Sequence, residues 1–301
     1  MSNKDESPQL IDIREDDLLA LSAEVLDTLL RDHTTGRNIF WATHDYEALG
    51  SEYDYHSEIL PHLITGEHGM VIRPRVLKSK EEQTDRVKDM AEVFTPSWVV
   101  KKMVDYVEIE INTRCLELTC GEAPFLASRY DSTTGEPISI DERIGVLDQK
   151  LSKVNDQQLS DEDWIEQVRQ AFQSTYGYEW QGDNLLLARE NLLYTFIDFY
   201  TAKFGKEPQM KSVNYIAYII SWNLWQMDGL KGVVPDSCRD GVPEPIQTLF
   251  GEELRMVYCD GCQQDNIRLH NGTYCLIRDW GTKNPDTGEQ NRKIRFIDLM
   301  R

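Results

Sequence analysis

Hydrophobic residues at helical spacing mark the first part of the chain. In Asp16–Leu30, Leu18, Leu21, Val25 and Leu29 fall on one face, and acids stand at the start of the segment. Acidic side chains favour a helix N-terminus, and a one-sided apolar stripe is normally buried against other elements. The pattern therefore predicts an N-terminal helix that packs on the rest of the protein.

Further along the chain, strand-like and helix-like segments alternate. A short apolar strand is predicted from Leu116 and an aromatic one over Tyr176–Trp180, each with an acid towards its end. Helices are predicted over Ser160–Phe172, Asp183–Leu193 and Val213–Trp225. This alternation predicts an α/β protein in which a central, mostly parallel sheet has helices on both faces.

The same pattern divides the chain into three regions. We predict an N-terminal helical region at 1–90 and an α/β domain at 91–235, with an insertion at about 129–175 that packs on the sheet edge. Prolines and glycines from Pro235 onwards mark the start of a small cysteine-bearing region at 236–301.

Composition indicates a folded globular protein. The 301 residues are 40% hydrophobic and include seven Trp, which is enough for one substantial core. No apolar run approaches the roughly 20 residues needed to cross a bilayer, and the polar start of the chain lacks a signal-peptide core. The expected location is the cytoplasm, with no membrane partner.

Two motifs of the predicted α/β domain indicate a ligand pocket. Ala91–Pro96 places a Phe and a Thr-Pro turn at a helix entrance, where Thr95 can cap a helix begun by Pro96. Leu116–Phe125 contains the first strand and a turn at Gly121. A glycine lets the backbone approach a ligand, and the helix expected after it offers unpaired N–H groups to a carboxylate.

A third motif supplies an acid at the end of the second predicted strand. Glu179 stands where a carboxylate commonly holds the hydroxyls of a ribose. Ordinary structural roles remain open for these positions: Phe94 as a core aromatic, Glu117 as a solvated strand-end acid, and Glu179 as the partner of a nearby arginine such as Arg189.

The order Glu-Val-Phe-Thr-Pro, Leu-Glu-Leu-Thr-Cys-Gly-Glu-Ala-Pro-Phe and Gly-Tyr-Glu resembles that of adenine-specific DNA methyltransferases, the modification (M) subunits of bacterial restriction-modification systems. Leu29–Tyr46 is also similar to a stretch of such M subunits. The resemblance implies a Rossmann-like sheet that binds S-adenosylmethionine (SAM), and methylation of adenine N6 in DNA. It further implies that Glu117 and Gly121 lie against the methionine end of SAM and Glu179 against its ribose. The cofactor site so implied comprises Phe94, Thr95, Pro96, Glu117, Cys120, Gly121 and Glu179.

The resemblance does not extend to the catalytic turn. Enzymes of this kind flip the base out of the duplex and hold its amine with an Asn- or Asp-Pro-Pro-aromatic turn, but none of the eleven prolines here is followed by another. Degenerate versions of the turn are conceivable at Ser221–Trp225, Arg278–Trp280 and Lys293–Asp298. No catalytic residue is assigned, and a catalytically silent SAM-binding subunit or regulator is the alternative function.

The overall charge opposes unaided binding of DNA. The formal net charge is -20, whereas affinity for phosphates comes mainly from Lys and Arg. The best local basic segment is Arg73–Lys80 with Arg86 and Lys88, which is equally interpretable as a solvated loop. We therefore expect DNA to be held with the help of a basic partner subunit.

Cysteines near the carboxyl end indicate a metal site. Six reduced thiols are expected in a cytosolic chain, and Cys259-Asp-Gly-Cys262 can present two of them to one ion. The further ligands are His270 with Cys275, or Cys275 with Cys238, and a structural zinc ion is the natural occupant. A redox role is less favoured, because no helix is expected to begin at the first thiol and lower its pKa.

Overall fold

A computed structural model describes residues 14–78, 83–84, 86–88, 95–249, 251–283, 288 and 290–300. These residues form a mixed α/β fold with a three-stranded parallel sheet of order β1-β2-β3. The strands are β1 (Cys115–Glu117), β2 (Thr175–Glu179) and β3 (Leu224–Gln226). The mixed α/β class and the first two strands are as predicted from the sequence.

The third strand was not predicted from the sequence. Leu224–Gln226 lies parallel to β2, with Glu179 opposite Gln226, whereas the apolar run had been interpreted as a helix that continued to Trp225. That helix ends at Asn223, and the extended backbone of Leu224 (φ -110°, ψ 112°) leads directly into the strand. An apolar run carries no periodicity that separates a buried helix from a buried strand, which explains the error.

Eight α-helices have both ends within the described residues, and further helical residues are described at 83–84 and 86–88. Two of them, α1 and α2, replace the single N-terminal helix predicted over Asp16–Leu30, because Ser22 is fully extended between them (φ -171°, ψ 127°). Leu21 is consequently exposed, while the other residues of the predicted apolar face are buried. The helices are α1 (Glu15–Leu21), α2 (Ala23–Leu30), α3 (Ser97–Val104), α4 (Val146–Asn155), α5 (Asp161–Gln173), α6 (Gly182–Phe204), α7 (Met210–Asn223) and α8 (Asp260–Gln264).

The connection between β1 and β2 belongs to the main core. Helix α5 is close to its predicted bounds, and the Ser160 hydroxyl accepts a hydrogen bond from the Asp163 N–H at its start. Trp164 and Phe172 of α5 are buried against Phe196 of α6. The segment expected as an insertion at the sheet edge therefore packs its helices into the interior.

A buried arginine ties the N-terminal helices to the sheet. The Arg189 guanidinium of α6 donates hydrogen bonds to the carbonyl of Leu224 (2.6 and 3.0 Å) and to that of Ser221 (3.2 Å). It also donates to the carbonyls of Leu29 and Arg31, at the end of α2. Its charge is thus shared among carbonyl dipoles at the place where α2, α6 and β3 meet.

Two antiparallel hairpins follow the parallel sheet. The first pairs β4 (Val242–Thr248) with β5 (Gly251–Val257), and the second pairs β6 (Leu276–Lys283) with β7 (Gln290–Arg295). The second hairpin shares a hydrophobic cluster with Trp225 of β3. None of the helices in the described part of the chain is long and apolar enough to cross a membrane.

Candidate functional site

A cavity of about 1310 Å³ opens at the carboxyl ends of β1 and β2. The carboxyl ends of parallel strands meet at one edge of a sheet, which is where open α/β folds bind ligands. Pro96 is not among the residues that line the cavity, and Phe94 lies outside the described residues. The other five residues of the cofactor site implied by the sequence all line it: Thr95, Glu117, Cys120, Gly121 and Glu179.

Glu179 is the acid that closes the glycine turn. One carboxylate oxygen accepts the Gly121 N–H at 2.8 Å, and the other accepts the N–H groups of Trp180 (2.9 Å) and Gln181 (3.2 Å). The Arg189 guanidinium, considered above as an ion-pair partner of Glu179, donates to main-chain carbonyls. The Glu179 carboxylate is directed at the turn of Gly121.

Glu117 faces the same cavity with one carboxylate oxygen unsatisfied. Its Oε2 is buried and has no hydrogen-bond partner in the described part of the protein. Burial and the neighbouring charge of Glu179 raise the pKa of Glu117 well above its usual range, although the backbone N–H of Phe125 acts in the opposite direction. A buried carboxyl oxygen without a hydrogen-bond partner is costly, and it marks a place where a cationic or hydrogen-bond-donating ligand would be favoured.

The turn after β1 is not followed by the helix that was expected. The chain makes successive turns with left-handed backbone at Thr119 (φ 49°), Gly121 (φ 55°) and Ala123 (φ 61°). The Asn191 side chain of α6 satisfies two of its carbonyls, those of Glu122 (3.2 Å) and Ala127 (3.0 Å). Thr119 and Ala123 are not glycines, so their left-handed backbone conformation is strained. The Asn191 side chain holds this strained turn in place.

The entrance formed by α3 also differs from the prediction. The helix begins at Ser97, so that Pro96 is its N-cap, and Thr95 makes no capping bond. The Ser97 N–H instead donates to the Asp131 carboxylate at 3.2 Å. Thr95 remains at the wall of the cavity, but as a lining residue rather than a helix cap.

The cavity has acids at one end and aromatic rings beside them. Trp180 follows Glu179 directly, and its indole N–H donates to the Tyr55 hydroxyl at 2.9 Å. Both rings line the cavity, as does Phe125. This arrangement suits a ligand that combines a flat ring, hydroxyl groups and positive charge.

We compared the chain with protein families, curated proteins and solved structures. No protein-family model, curated protein or solved structure matches this chain.

The three candidate positions for a catalytic turn have structural roles. The Trp280 indole N–H donates to the Asn223 side-chain oxygen (2.7 Å), whose amide nitrogen in turn donates to two carbonyls. Asp279 pairs with Arg114, and Asp298 pairs with Arg295. Of these residues only Arg114 lines the cavity, so none of the candidate turns presents its acid or amide there.

The basic segment before the Thr-Pro turn is partly internal. Arg86 and Lys78 are buried and both contact the Asp183 carboxylate, at 2.7 and 3.4 Å. Lys88 lines the cavity, and Lys80 lies outside the described residues. Two of the six basic residues predicted to contact phosphate are thus paired with acids within the fold.

A second cluster of functional side chains lies near the carboxyl end. The ligand atoms of four residues all lie within 4.8 Å of one another: Cys238, Cys259, Cys262 and His270. Cys275 is not a member, because its buried thiol donates to the Gln226 carbonyl at 3.3 Å. Three of the four predicted ligands are brought together, and the fourth member is Cys238 rather than Cys275.

A helix begins at the first thiol of the Cys259–Cys262 pair, contrary to the prediction from the sequence. Cys259 is the N-cap of the short helix α8, where no helix start was expected. Burial acts to raise the pKa of Cys259, but N–H groups of Asn271 and Cys262 and the contact with His270 outweigh it, bringing the pKa to about 6. The N–H groups around Cys259 therefore favour its thiolate form.

Proposed function

We propose that this protein is a SAM-dependent methyltransferase of the restriction-modification type, acting on adenine N6 in DNA. The observation that carries the proposal is the convergence of Glu117, Gly121 and Glu179 on one cavity at the carboxyl end of the parallel sheet. These are the residues that the family resemblance assigns to SAM.

The strand order supports a Rossmann-like interpretation of the sheet. In doubly wound folds of order 3-2-1-4-5-6, the first half contributes strands 3-2-1 and the ligand binds beside strand 1. The order β1-β2-β3 matches that of such a half-sheet, and the cavity lies beside β1 and β2. A SAM-binding half of the fold is therefore consistent with what the described residues form.

The charge of the cavity favours SAM over a nucleoside phosphate. SAM carries a sulfonium and an ammonium group, and Glu117 has a buried oxygen without a partner to receive such charge. Glu179 is positioned to accept hydrogen bonds from a ribose diol, and Trp180 and Tyr55 offer faces for an adenine ring. The Glu179 carboxylate would instead repel phosphate groups.

The alternative is a catalytically silent SAM-binding subunit or regulator. An adenine amine is a poor nucleophile and needs a group that holds it beside the sulfonium. The Asn223 and Trp280 side chains that could have replaced the missing turn are hydrogen-bonded to each other. Among the described residues, β1 pairs only with β2, so a base-holding strand would have to be added on its other side.

DNA binding needs a separate source of positive charge. The net charge is -20, and Lys78 and Arg86 pair with Asp183. A basic partner subunit would supply contacts to phosphate. A cytoplasmic location, which suits this substrate, stays a prediction.

Calorimetric titration of the purified chain with SAM tests the cofactor part of the proposal. We expect saturable binding that also occurs with S-adenosylhomocysteine, the demethylated product. Transfer of a radioactive methyl group to duplex DNA, measured with neighbouring gene products added, then separates an active enzyme from a silent subunit. Absence of SAM binding would overturn both functions, while binding without transfer under every combination would leave the silent subunit.

A further inference from the structure

Three thiols converge on one ring nitrogen in the carboxyl-terminal group. The Sγ atoms of Cys238 and Cys259 each lie 3.5 Å from His270 Nδ1, and that of Cys262 lies 3.6 Å from it. An imidazole nitrogen offers one lone pair or one proton, so it cannot form three hydrogen bonds. Hydrogen bonding therefore does not account for this arrangement.

The spacing is that of a tetrahedral metal site. Zinc binds sulfur at about 2.3 Å and imidazole nitrogen at about 2.0–2.1 Å, which at a tetrahedral angle puts S and N about 3.5–3.6 Å apart. The three observed separations of 3.5, 3.5 and 3.6 Å agree with this value. We infer that Cys238, Cys259, Cys262 and His270 form a structural zinc site.

Backbone donors around the group support this assignment. The Asn271 N–H donates to Cys259 Sγ at 3.3 Å. The Asn271 side chain makes two hydrogen bonds of 2.9 Å with the main chain of Arg239, the residue after Cys238. Its oxygen accepts the Arg239 N–H, and its amide nitrogen donates to the Arg239 carbonyl. N–H groups directed at sulfur, and outer contacts that orient ligating loops, are features of thiolate metal sites.

Glycines allow the ligand loops to approach this closely. A Cβ at Gly261 would lie 2.5 Å from the His270 backbone nitrogen, and one at Gly272 would lie 2.9 Å from Cys238 Sγ. Both positions are therefore held to glycine by the packing of the ligands themselves. The site is built by three separate loops that fit together only with small residues at these points.

The inferred metal would join the two ends of a projecting hairpin. The hairpin β4–β5 lies between Cys238 and Cys259, and its base is closed by the Gly241 N–H bond to the Val257 carbonyl at 2.8 Å. Its side chains are mostly exposed, so little packing fixes it to the body. Coordination by four side chains would hold the hairpin and the loop before β6 in one orientation. All four positions are filled by protein, as in sites where zinc is structural rather than catalytic.

Metal analysis of the full chain tests this assignment. Protein purified in reducing buffer without chelator, and passed over a desalting column after exposure to Zn²⁺, should retain one equivalent of zinc. Replacement by Co²⁺ should give the intense visible bands of tetrahedral cobalt together with thiolate-to-metal charge transfer. Cobalt bands of octahedral type, or protein that retains no zinc, would overturn the inference.

Variants identify the ligands and provide controls. Cys262→Ser and Cys238→Ser should each lose most of the bound metal, while Cys275→Ala and Cys115→Ser, which change thiols outside the group, should keep it. If a ligand variant fails to fold, blocking of thiols by a maleimide in native protein gives the same answer: zinc should protect three thiols of the wild type. Retention of zinc by Cys238→Ser together with its loss from Cys275→Ala would contradict the ligand set.

Discussion

At the scale of single residues, the two acids of the cavity have different roles. Glu179 is held by three backbone N–H groups, so its carboxylate is fixed in position. Glu117 has a buried oxygen without a partner. The first is arranged to orient a ligand, and the second gains most when positive charge arrives.

Glu179→Ala should weaken SAM binding if Glu179 holds the ribose. Loss of hydrogen bonds to a charged group costs about 1–3 kcal/mol, which is roughly a 5- to 150-fold increase in Kd by calorimetry. Glu166→Ala, at an exposed acid on α5, is the matched control and should leave Kd unchanged. Equal affinity of the Glu179 variant and the wild type would exclude the ribose role.

Glu117→Gln should stabilise the ligand-free protein at neutral pH. A carboxyl whose pKa is raised by folding holds its proton more tightly in the folded chain, so it opposes folding as the pH rises above the unfolded value of about 4.3. The amide of Gln does not ionise, so it removes this destabilisation of the folded state. We expect the free energy of unfolding to increase by about 1 kcal/mol for a half-buried group. Urea unfolding should show the gain at pH 7 and its disappearance near pH 4.

The same Glu117→Gln variant should bind SAM more weakly at pH 7. Stability and affinity would thus change in opposite directions at one position. A variant that lost both stability and affinity would indicate a structural role for Glu117 instead.

At the scale of elements, α6 braces the turn that carries Gly121. Asn191→Leu keeps the volume of the side chain but leaves the carbonyls of Glu122 and Ala127 without their donor. We expect a loss of about 2 kcal/mol in the free energy of unfolding and a weaker affinity for SAM.

Thr195→Val, one turn along the same helix, removes a hydroxyl bonded only within α6. It should lower stability slightly and leave Kd unchanged, and a parallel loss of affinity in both variants would argue against a specific brace.

The contact between β6 and the end of α7 is a structural hydrogen bond. Trp280→Phe leaves the buried Asn223 oxygen without its donor and removes ring volume, so the free energy of unfolding should fall by about 2–3 kcal/mol. Trp98→Phe, at a ring that is 63% exposed, is the control and should change it little. If instead the Trp280 variant unfolded like the wild type while methyl transfer was lost, Trp280 would belong to the catalytic machinery.

The sequence predicted the elements with local signals and missed those without them. Helix α5 has a Ser cap, acids in its first turn and a one-sided apolar stripe, all readable from the chain. Strand β3 has three apolar or neutral residues directly after a helix and no turn between, so only its pairing with β2 reveals it. Local pattern decides the first case, and tertiary contact decides the second.

The candidate sites show the same division. Strand-end acids were expected to meet because parallel strands share an edge, and Glu117 and Glu179 do meet in one cavity. The choice between Cys238 and Cys275 depends on how three loops fold together, which spacing along the chain does not specify. The absence of a helix after Gly121 has a similar cause, since Asn191 satisfies that turn from a distant part of the sequence.

At the scale of the whole molecule, the cavity lined by Glu117 and Glu179 and the inferred zinc site are separate. The cavity lies beside β1 and β2, whereas the cysteine group is formed by loops after β3. None of the four metal-binding residues lines the cavity. Each site should therefore be removable without the other.

Removal of metal by a chelator should loosen the carboxyl-terminal loops and leave cofactor affinity intact. Because folding energy and metal binding are coupled, trypsin should cut faster after chelation at the exposed Arg255 of β5. The rate should return to its initial value when Zn²⁺ is restored, and calorimetry should give the same Kd for SAM throughout. Unchanged cleavage after verified loss of zinc would show that packing alone holds the hairpin.

The anchoring of the β4–β5 hairpin at both ends has a practical consequence. Its tip, at Leu249, is fully exposed, and its two ends are joined by a backbone bond beside the cysteine group. Segments closed at the base accept changes in length at little entropic cost. A fluorescent reporter or an epitope could therefore be grafted at this tip, giving a labelled protein whose interior is undisturbed and whose encounters with a partner could be followed directly.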